Sequence, residues 1–211
     1  MTYHDKTIAS LYCLLNFIRC TSCAKITNTN TVNGEQYIFD FTGPDGVEGW
    51  QEQSDTVRSV GMSKAVLVMH QNTEYKRAIF FALLNPQTNG AGFAGVRALR
   101  KYDLTGHTKL QLRCRAQGQF NGFKVVLRHK DLNNEPNCSF EQYFQGPRNE
   151  FAVRDLPFSE FKAYYRGKRV SNETLDISQI TSIGIQMYGG VYQPVKQKGP
   201  ATLEIDWIKA V

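Results

Sequence analysis

Short runs of alternating apolar and polar residues recur along most of the chain, and turn-forming residues separate them. Segment 109–116 shows the pattern clearly, because Leu110, Leu112 and Cys114 would share one face of a strand and the polar residues between them the other. Similar runs, rich in β-branched and aromatic residues, predict ten strands, at 37–42, 63–70, 77–84, 92–99, 109–116, 123–130, 139–145, 150–156, 180–188 and 202–210. So many short strands at this spacing predict an all-β fold, an antiparallel β-sandwich or jelly roll.

The length and the distribution of these runs predict a single folded domain. The chain has 211 residues, and one β-sandwich routinely uses that length. Residues 37–211 are predicted to form this domain, and the polar residues 25–36 a linker in front of it. No long amphipathic pattern, internal repeat or low-complexity tract indicates a second domain.

An apolar run at residues 8–18 precedes the linker and is too short to span a bilayer as a helix. Ser22 and Ala24 occupy the −3 and −1 positions of a small-residue cleavage site. Residues 1–24 are therefore predicted to be a secretory signal peptide that is cleaved after Ala24. This predicts a secreted or extracellular protein. Two alternatives remain open: a mitochondrial transit peptide, which Asp5 and the low arginine content disfavour, and a buried first strand or helix.

Cysteines and glycosylation sequons agree with a secretory route. Three of the five cysteines precede the predicted cleavage site, which leaves Cys114 and Cys138 in the mature chain. An even pair in a secreted protein predicts one disulfide. Asn137 and Asn172 each begin an N-x-S/T sequon in polar surroundings, so both are predicted glycosylation sites.

The charge pattern argues against nucleic acid as a partner. The formal net charge is +6, but basic and acidic residues are interleaved, and the longest basic cluster is Arg166, Lys168 and Arg169. The histidines are scattered and no C-x-x-C pair is present in the predicted domain, so the sequence predicts neither a metal site nor a cofactor. We expect a monomer without a transmembrane segment.

The stretch GAGFAG at 90–95 has the glycine spacing of a dinucleotide-binding loop. Such a loop follows a buried parallel strand, whereas here a turn at 85–89 precedes it, and no carboxylate stands about 20 residues downstream for a ribose. The dinucleotide interpretation is therefore rejected. Gly90, Gly92 and Gly95 are instead predicted to serve a tight turn and a strand that lets a neighbouring backbone or bulky side chain come close.

The best candidate pair for acid–base catalysis is Glu204 and Asp206, which period-two alternation places on one face of the last strand. Leu203, Ile205 and Trp207 would then form the buried face of an ordinary terminal strand. No serine elbow, Cys/His pair or phosphate-binding loop accompanies them. We therefore expect no enzymatic activity and no catalytic residues.

Aromatic residues in polar, glycine-containing stretches predict a binding surface, because exposed rings stack on ligands while neighbouring polar groups supply hydrogen bonds. Trp50 and Tyr188 are instead predicted to be core residues at strand ends. The predicted ligand or partner contacts are Tyr164, Tyr165, Arg166, Tyr192 and Gln193.

An ordered set of stretches resembles the complex I intermediate-associated protein family. No single stretch is very specific, but their order is, above all LPFSEF followed by SIGI and then LEIDWI. The resemblance covers residues 37–211 and comprises Phe39-Asp40-Phe41 with Trp50, DTVRSVGMSKA at 55–65, GAGFAGVR at 90–97, the paired strands at 109–128, DLPFSEF at 155–161, ITSIGIQ at 180–186 and LEIDWIKA at 203–210.

The resemblance implies a galactose-binding-like β-sandwich similar to carbohydrate-binding modules. It also implies a non-catalytic assembly factor or chaperone whose protein partner is an intermediate of mitochondrial respiratory complex I, the NADH dehydrogenase. This location conflicts with the secretory leader. The alternative is a secreted, glycosylated relative that binds carbohydrate or an extracellular protein.

Overall fold

The computed structural model describes residues 31–32, 34–88 and 92–211, and all ten predicted strands are present there, each within three residues of its predicted ends. The strands are β1 (Thr31–Val32), β2 (Glu35–Asp40), β3 (Trp50–Glu52), β4 (Lys64–Gln71), β5 (Lys76–Leu84), β6 (Phe93–Ala98), β7 (Lys109–Gly118), β8 (Gly122–His129), β9 (Ser139–Gln145), β10 (Ala152–Pro157), β11 (Lys162–Tyr165), β12 (Lys168–Val170), β13 (Ile180–Tyr188) and β14 (Gly199–Ala210). Three short 3₁₀ helices lie between strands, at Asp55–Val57, Phe158–Glu160 and Ile177–Gln179.

The strands form two seven-stranded antiparallel sheets, so the predicted all-β sandwich is confirmed. In sheet A, β14 pairs with β7 on one side and with β5 and then β2 on the other; β4, β10 and β1 lie further out. In sheet B the order is β12, β11, β9, β8, β13, β6 and β3. The inner faces of the two sheets enclose one core.

Alternation decides which side chains enter this core. Leu110, Leu112 and Cys114 of β7 are completely buried, as predicted, while the residues between them lie on the outer face of sheet A. Trp50 was predicted to be a core residue at a strand end; it begins β3 and packs against Phe39 of the core with 4.8 Å between ring centroids, but it is only half-buried.

In β14 the prediction was correct for Leu203 and Ile205 but wrong for Trp207, which is only half-buried. The pairing of β14 with β7 shifts between Ile205 and Trp207 because of a β-bulge. A shift of one residue exchanges the two faces of a strand, so Ile208 and Ala210 take the core positions beyond it.

The first strands begin before the predicted domain boundary, since β2 starts at Glu35 and pairs with β1 at Thr31–Val32. The predicted leader at 1–24 and its cleavage site after Ala24 lie outside the described residues. The division into leader, linker and domain stays a prediction.

The predicted disulfide between Cys114 and Cys138 is not formed, because both thiols are free. Cys114 points into the core from β7 of sheet A, whereas Cys138 directly precedes β9 of sheet B. Facing sheets lie about 10 Å apart, and a disulfide needs α-carbons within about 7 Å. The sequence showed an even pair but not that its members belong to opposite sheets.

Candidate functional site: a cleft on the outer face of sheet B

The outer face of sheet B carries a cleft of about 400 Å³, a volume within the range of small-ligand pockets. Strands β6, β8, β9 and β13 form its floor. Four segments form its walls: residues 53–58, residues 134–135 of the β8–β9 loop, the β11–β12 turn at 166–167 and the β13–β14 loop at 190–193. Side chains from segments far apart in the sequence therefore meet in one place.

Strand alternation supplies the floor of the cleft. Lys124, Val126 and Arg128 of β8 line it, and the residues between them belong to the core. Gly95 of β6 provides the space for Gln186 of β13: a β-carbon at Gly95 would lie 2.3 Å from Cγ of Gln186. The predicted close approach at Gly95 is confirmed, and it serves the cleft.

A buried ion pair lies in the centre of the floor. Nζ of Lys124 donates to Oε2 of Glu141 at 2.6 Å, and the two side chains are only 9% and 6% exposed. Glu141 also accepts hydrogen bonds from the hydroxyls of Ser139 at 2.9 Å and Tyr143 at 3.2 Å. These donors offset the cost of burying the carboxylate, so the pair is a fixed polar feature of the floor.

Three tyrosines pack beside this pair. Tyr143 meets Tyr188 edge to face at 4.9 Å between ring centroids, and it meets Tyr164 in the same manner at 6.0 Å. Burial, and after it the charge of Glu141, raises the pKa of Tyr143, so its hydroxyl keeps its proton and donates. Tyr188 is buried at the end of β13, as predicted, and also lines the cleft.

Two arginines hold the β8–β9 loop at one end of the cleft. Nη1 of Arg128 donates to the carbonyl oxygens of Asn137 and Cys138, and Nη1 of Arg97 donates to that of Asn133 at 2.6 Å. Burial lowers the pKa of both guanidinium groups, and the charge of Arg97 lowers that of Arg128 further. Within the described residues, neither group has a carboxylate oxygen within 4.0 Å.

Glu135 links three walls of the cleft. Its carboxylate accepts from Arg58 at 3.0 Å and from Arg166 at 2.7 Å. The hydrogen bonds from Arg166 lower the pKa of Glu135 below its usual value, and Arg58 adds to this effect. All three side chains are at least a third exposed, so this contact contributes little stability and mainly positions the walls.

The β11–β12 turn brings Arg166 to the cleft and supports Tyr192. Arg166 and Gly167 both adopt the left-handed conformation, with φ of 50° and 77°. The guanidinium of Arg166 lies over the ring of Tyr165 at 5.3 Å. A β-carbon at Gly167 would lie 3.3 Å from the ring of Tyr192, so the ring rests against the backbone of this turn.

The β13–β14 loop is fixed from beneath by Gln197, which is 3% exposed. Its carboxamide accepts from the N–H of Gly122 at 2.8 Å and donates to the carbonyl oxygens of Gly122 and Tyr188. Nζ of Lys196 donates to main-chain carbonyls of the loop, including that of Val191 at 2.9 Å. The loop thus presents its exposed residues on an ordered backbone.

Residues 53–58 are fixed by Asp55, a fully buried carboxylate. It accepts from the N–H of Ser63 at 2.8 Å, from the hydroxyl of Ser63 at 2.7 Å and from the N–H of Phe93 at 3.3 Å. Gly61 is required here, because a β-carbon at that position would lie 2.0 Å from the carbonyl oxygen of Asp55.

Of the five predicted contact residues, Arg166, Tyr192 and Gln193 line the cleft. Tyr164 packs behind Tyr143 instead, and Tyr165 lies beneath Arg166. The prediction did not include the floor of the cleft, which is lined by Lys124, Val126, Arg128, Glu141, Tyr143 and Gln186. A signal was present in β8, where Lys124 and Arg128 occupy the face opposite to Val125 and Leu127, but such a pattern also describes an ordinary solvated strand face.

Glu204 and Asp206 do lie together on the outer face of sheet A, as the alternation predicted. Glu204 accepts from Arg115 at 2.8 Å and Arg77 at 3.0 Å, and Arg113 donates to Asp206. Burial would raise the pKa of Glu204, but the hydrogen bonds it accepts from Arg115, Arg77 and Gln117 outweigh burial and lower it. A carboxylate held ionised in this way does not serve as a general acid.

The two sequon asparagines differ in their surroundings. Asn172 is exposed, whereas Asn137 is half-buried and donates from Nδ2 to the carbonyl oxygen of Asn134 at 3.1 Å. Glycosylation at both positions stays a prediction.

Comparison with known families identifies the domain. The family model described as complex I intermediate-associated protein 30 (CIA30) matches residues 39–205. The chain belongs to the CIA30 family. No curated protein matches the chain. No helix in residues 31–32, 34–88 and 92–211 has the length and apolar character to cross a bilayer.

Solved structures share the fold of this CIA30 domain. A family 11 carbohydrate-binding module from Clostridium thermocellum, in complex with a β-1,3-1,4-mixed-linked tetrasaccharide, has a TM-score of 0.62 at 17% identity over 84% of this chain and 95% of that chain. A family 30 carbohydrate-binding module of a cellulosomal cellulase from the same organism has a TM-score of 0.51 at 12% identity over 84% and 96%. The agarase AgWH50C has a TM-score of 0.53 at 9% identity over 83% of this chain and 24% of the enzyme. At these identities the similarity shows the fold alone.

Proposed function

We propose that this CIA30 protein is a non-catalytic assembly factor that binds a polypeptide segment of a respiratory complex I intermediate in the sheet B cleft. Family membership supports complex I as the target, since the family is described by its association with intermediates of that complex. The cleft supplies the place for binding, because it gathers side chains from strands and loops on one face.

The observation that carries a binding role is the way the ionisable groups of the cleft are held. Glu141 accepts three hydrogen bonds, Glu135 is paired with two arginines, and Tyr143 retains its proton. General acid–base catalysis needs a group with a pKa near the working pH and within reach of a substrate. This arrangement supports a role in binding a ligand rather than in transferring protons to it.

Site-specific crosslinking from the full chain tests the proposal. A photo-crosslinking residue at Tyr192, on the cleft wall, should capture subunits of complex I intermediates in cells that express the tagged protein. The same residue at Val153, which is 42% exposed on the edge strand β10 of sheet A, is the control and should not capture them. Equal capture from both positions, or no complex I subunit from Tyr192, would contradict the proposal.

The proposal requires the protein to reach mitochondria, whereas residues 1–24 predict secretion. Import into isolated mitochondria without any glycan would support the assembly role. A secreted chain that begins at Lys25 and carries a glycan removable by glycosidase would exclude it. The N-terminal residue and the mass before and after deglycosylation therefore decide the location.

Carbohydrate binding outside mitochondria is the second candidate function. It is favoured by the exposed ring of Tyr192, which is 60% accessible beside the polar side chain of Gln193. It also agrees with the fold shared with carbohydrate-binding modules. Titration calorimetry with a β-1,3-1,4-mixed-linked tetrasaccharide tests it: binding that Tyr192→Ser abolishes would support it, and no binding would reject this sugar as a ligand.

A further inference from the structure

Two walls of the cleft carry exposed aliphatic side chains. Val57 on one wall is 69% exposed, and Val191 on the other is 44% exposed, next to Tyr192. Further exposed apolar side chains follow these two segments in the sequence, at Val60, Met62 and Val195. Apolar groups gathered around a recess in this way mark an interaction surface.

The charges of the cleft do not balance. Among the residues that the structure describes, four cationic and two anionic side chains line it, which leaves two positive charges in excess. Both carboxylates are already bound by cations, whereas the hydrogen bonds of Arg128 within the described part of the chain go to carbonyl oxygens of the β8–β9 loop. Arg97 adds a further cation at the same end. This end of the cleft therefore attracts negative charge.

The tyrosines of the floor do not form one flat platform of the kind on which sugars stack. Tyr143 packs edge to face against both Tyr188 and Tyr164, so the rings are not coplanar. Tyr192 is exposed, and Val191 beside it on the same wall is aliphatic. Valine side chains favour apolar partners, which a polypeptide supplies and a chain of sugar hydroxyls does not.

We infer that the cleft takes a short acidic peptide segment, whose aliphatic side chains contact the walls at Val57 and Val191 and whose carboxylates face Arg58, Arg128 and Arg166. This inference rests on the proposed function and adds the chemical class of the bound segment. The aliphatic contacts supply affinity by burial, and the cations select the sign of charge.

Fluorescence anisotropy with the purified full chain tests the inference. Three fluorescein-labelled decapeptides are compared: alternating Leu and Glu, alternating Leu and Lys, and alternating Ser and Glu. The Leu-Glu peptide should bind at least roughly tenfold more tightly than either of the others, since each loses one of the two interactions. Its affinity should fall with added salt, because exposed charges are screened.

Matched variants test whether the peptide binds in the cleft. Val57→Ser and Val191→Ser should each weaken the Leu-Glu peptide by roughly threefold to tenfold, whereas Val153→Ser on sheet A should not. Arg58→Gln should weaken it as well, and Lys64→Gln is its control, because Lys64 forms a comparable exposed ion pair with Glu52 away from the cleft. All five replaced side chains are substantially exposed, so the variants are expected to fold, which melting temperatures will check.

The outcomes separate this inference from the function on which it rests. Tighter binding of the Leu-Lys peptide, still sensitive to Val191→Ser, would overturn the acidic class and leave peptide binding intact. Binding of the mixed-linked tetrasaccharide with no binding of any peptide would overturn both. Equal binding of the Leu-Glu and Ser-Glu peptides would overturn the role of the aliphatic walls.

Discussion

Nζ of Lys124 lies 2.6 Å from Oε2 of Glu141, and this ion pair is almost completely buried beneath an open cleft. Removing one member of such a pair leaves an uncompensated charge, which costs about 3–5 kcal/mol. We therefore expect Glu141→Gln to lower the free energy of unfolding by about 3 kcal/mol or more, measured by urea denaturation. The double variant Lys124→Met/Glu141→Leu should be markedly more stable than the single one. A loss below about 1 kcal/mol for Glu141→Gln would show that the pair is not buried in solution.

The network around Glu204 predicts a dependence of stability on pH. Its pKa is lowered in the folded protein, so the folded state binds its proton less readily than the unfolded chain does. The stabilisation is therefore present above the unfolded pKa of about 4.3 and is lost as the pH falls through the folded pKa. Glu204→Gln should remove this part of the loss of stability in acid. The difference in the free energy of unfolding between wild type and variant should therefore shrink below about pH 4.

Urea titrations of both proteins between pH 7 and pH 3 measure this effect. Exposed Glu150 provides the control, because Glu150→Gln should leave the pH profile of stability nearly unchanged. Parallel profiles for wild type and Glu204→Gln over the whole range would contradict the prediction.

We expect Asp55 to contribute strongly to the stability of the wall at residues 53–58. Asp55→Ala removes a charged acceptor shared by three donors, and hydrogen bonds to charged groups contribute about 1.5–3 kcal/mol each. We expect a loss of at least about 3 kcal/mol and faster hydrogen exchange at the amides of Ser63 and Phe93. The exposed Asp103 accepts a comparable bond from the N–H of Thr105, and Asp103→Ala should cost far less than Asp55→Ala. Unchanged exchange at Ser63 would show that Asp55 is not its acceptor in solution.

The two free thiols should react at different rates. Burial raises the pKa of Cys114 to about 12, and the side chain lies in the core. Cys138 is partly accessible, although its pKa is also raised by burial. Iodoacetamide at pH 8 should therefore label Cys138 well before Cys114, as mapped by mass spectrometry of tryptic peptides. Recovery of a peptide in which the two cysteines are joined would contradict the structure.

Local patterns determine most of the fold of this CIA30 domain. The ten predicted strands are long enough for alternation to be visible, and their ends coincide with turn residues. Strands β1, β3, β11 and β12 were missed because each has two to four residues, which is too short for a period of two to register. The bulge in β14 was missed because it arises from pairing with β7 and not from the local sequence.

The sequence predicted site residues that lie in loops and turns, but not the site residues that lie in strands. Arg166, Tyr192 and Gln193 lie in stretches whose composition marks them as exposed. Lys124 and Glu141 belong to neighbouring strands, β8 and β9, and only the register of that pair brings them together. Their burial arises from the tertiary arrangement, so no local signal distinguishes them from ordinary surface charges.

In the β13–β14 loop, the buried carboxamide of Gln197 helps to hold the backbone, and different residues form the exposed surface. The bonds that hold the loop come from Gln197 and Lys196 and are made to main-chain atoms, whereas Val191, Tyr192 and Gln193 make the surface. Side chains at these three positions can therefore be exchanged while the backbone that carries them stays in place. The loop is a natural position for libraries that retarget the domain to new ligands.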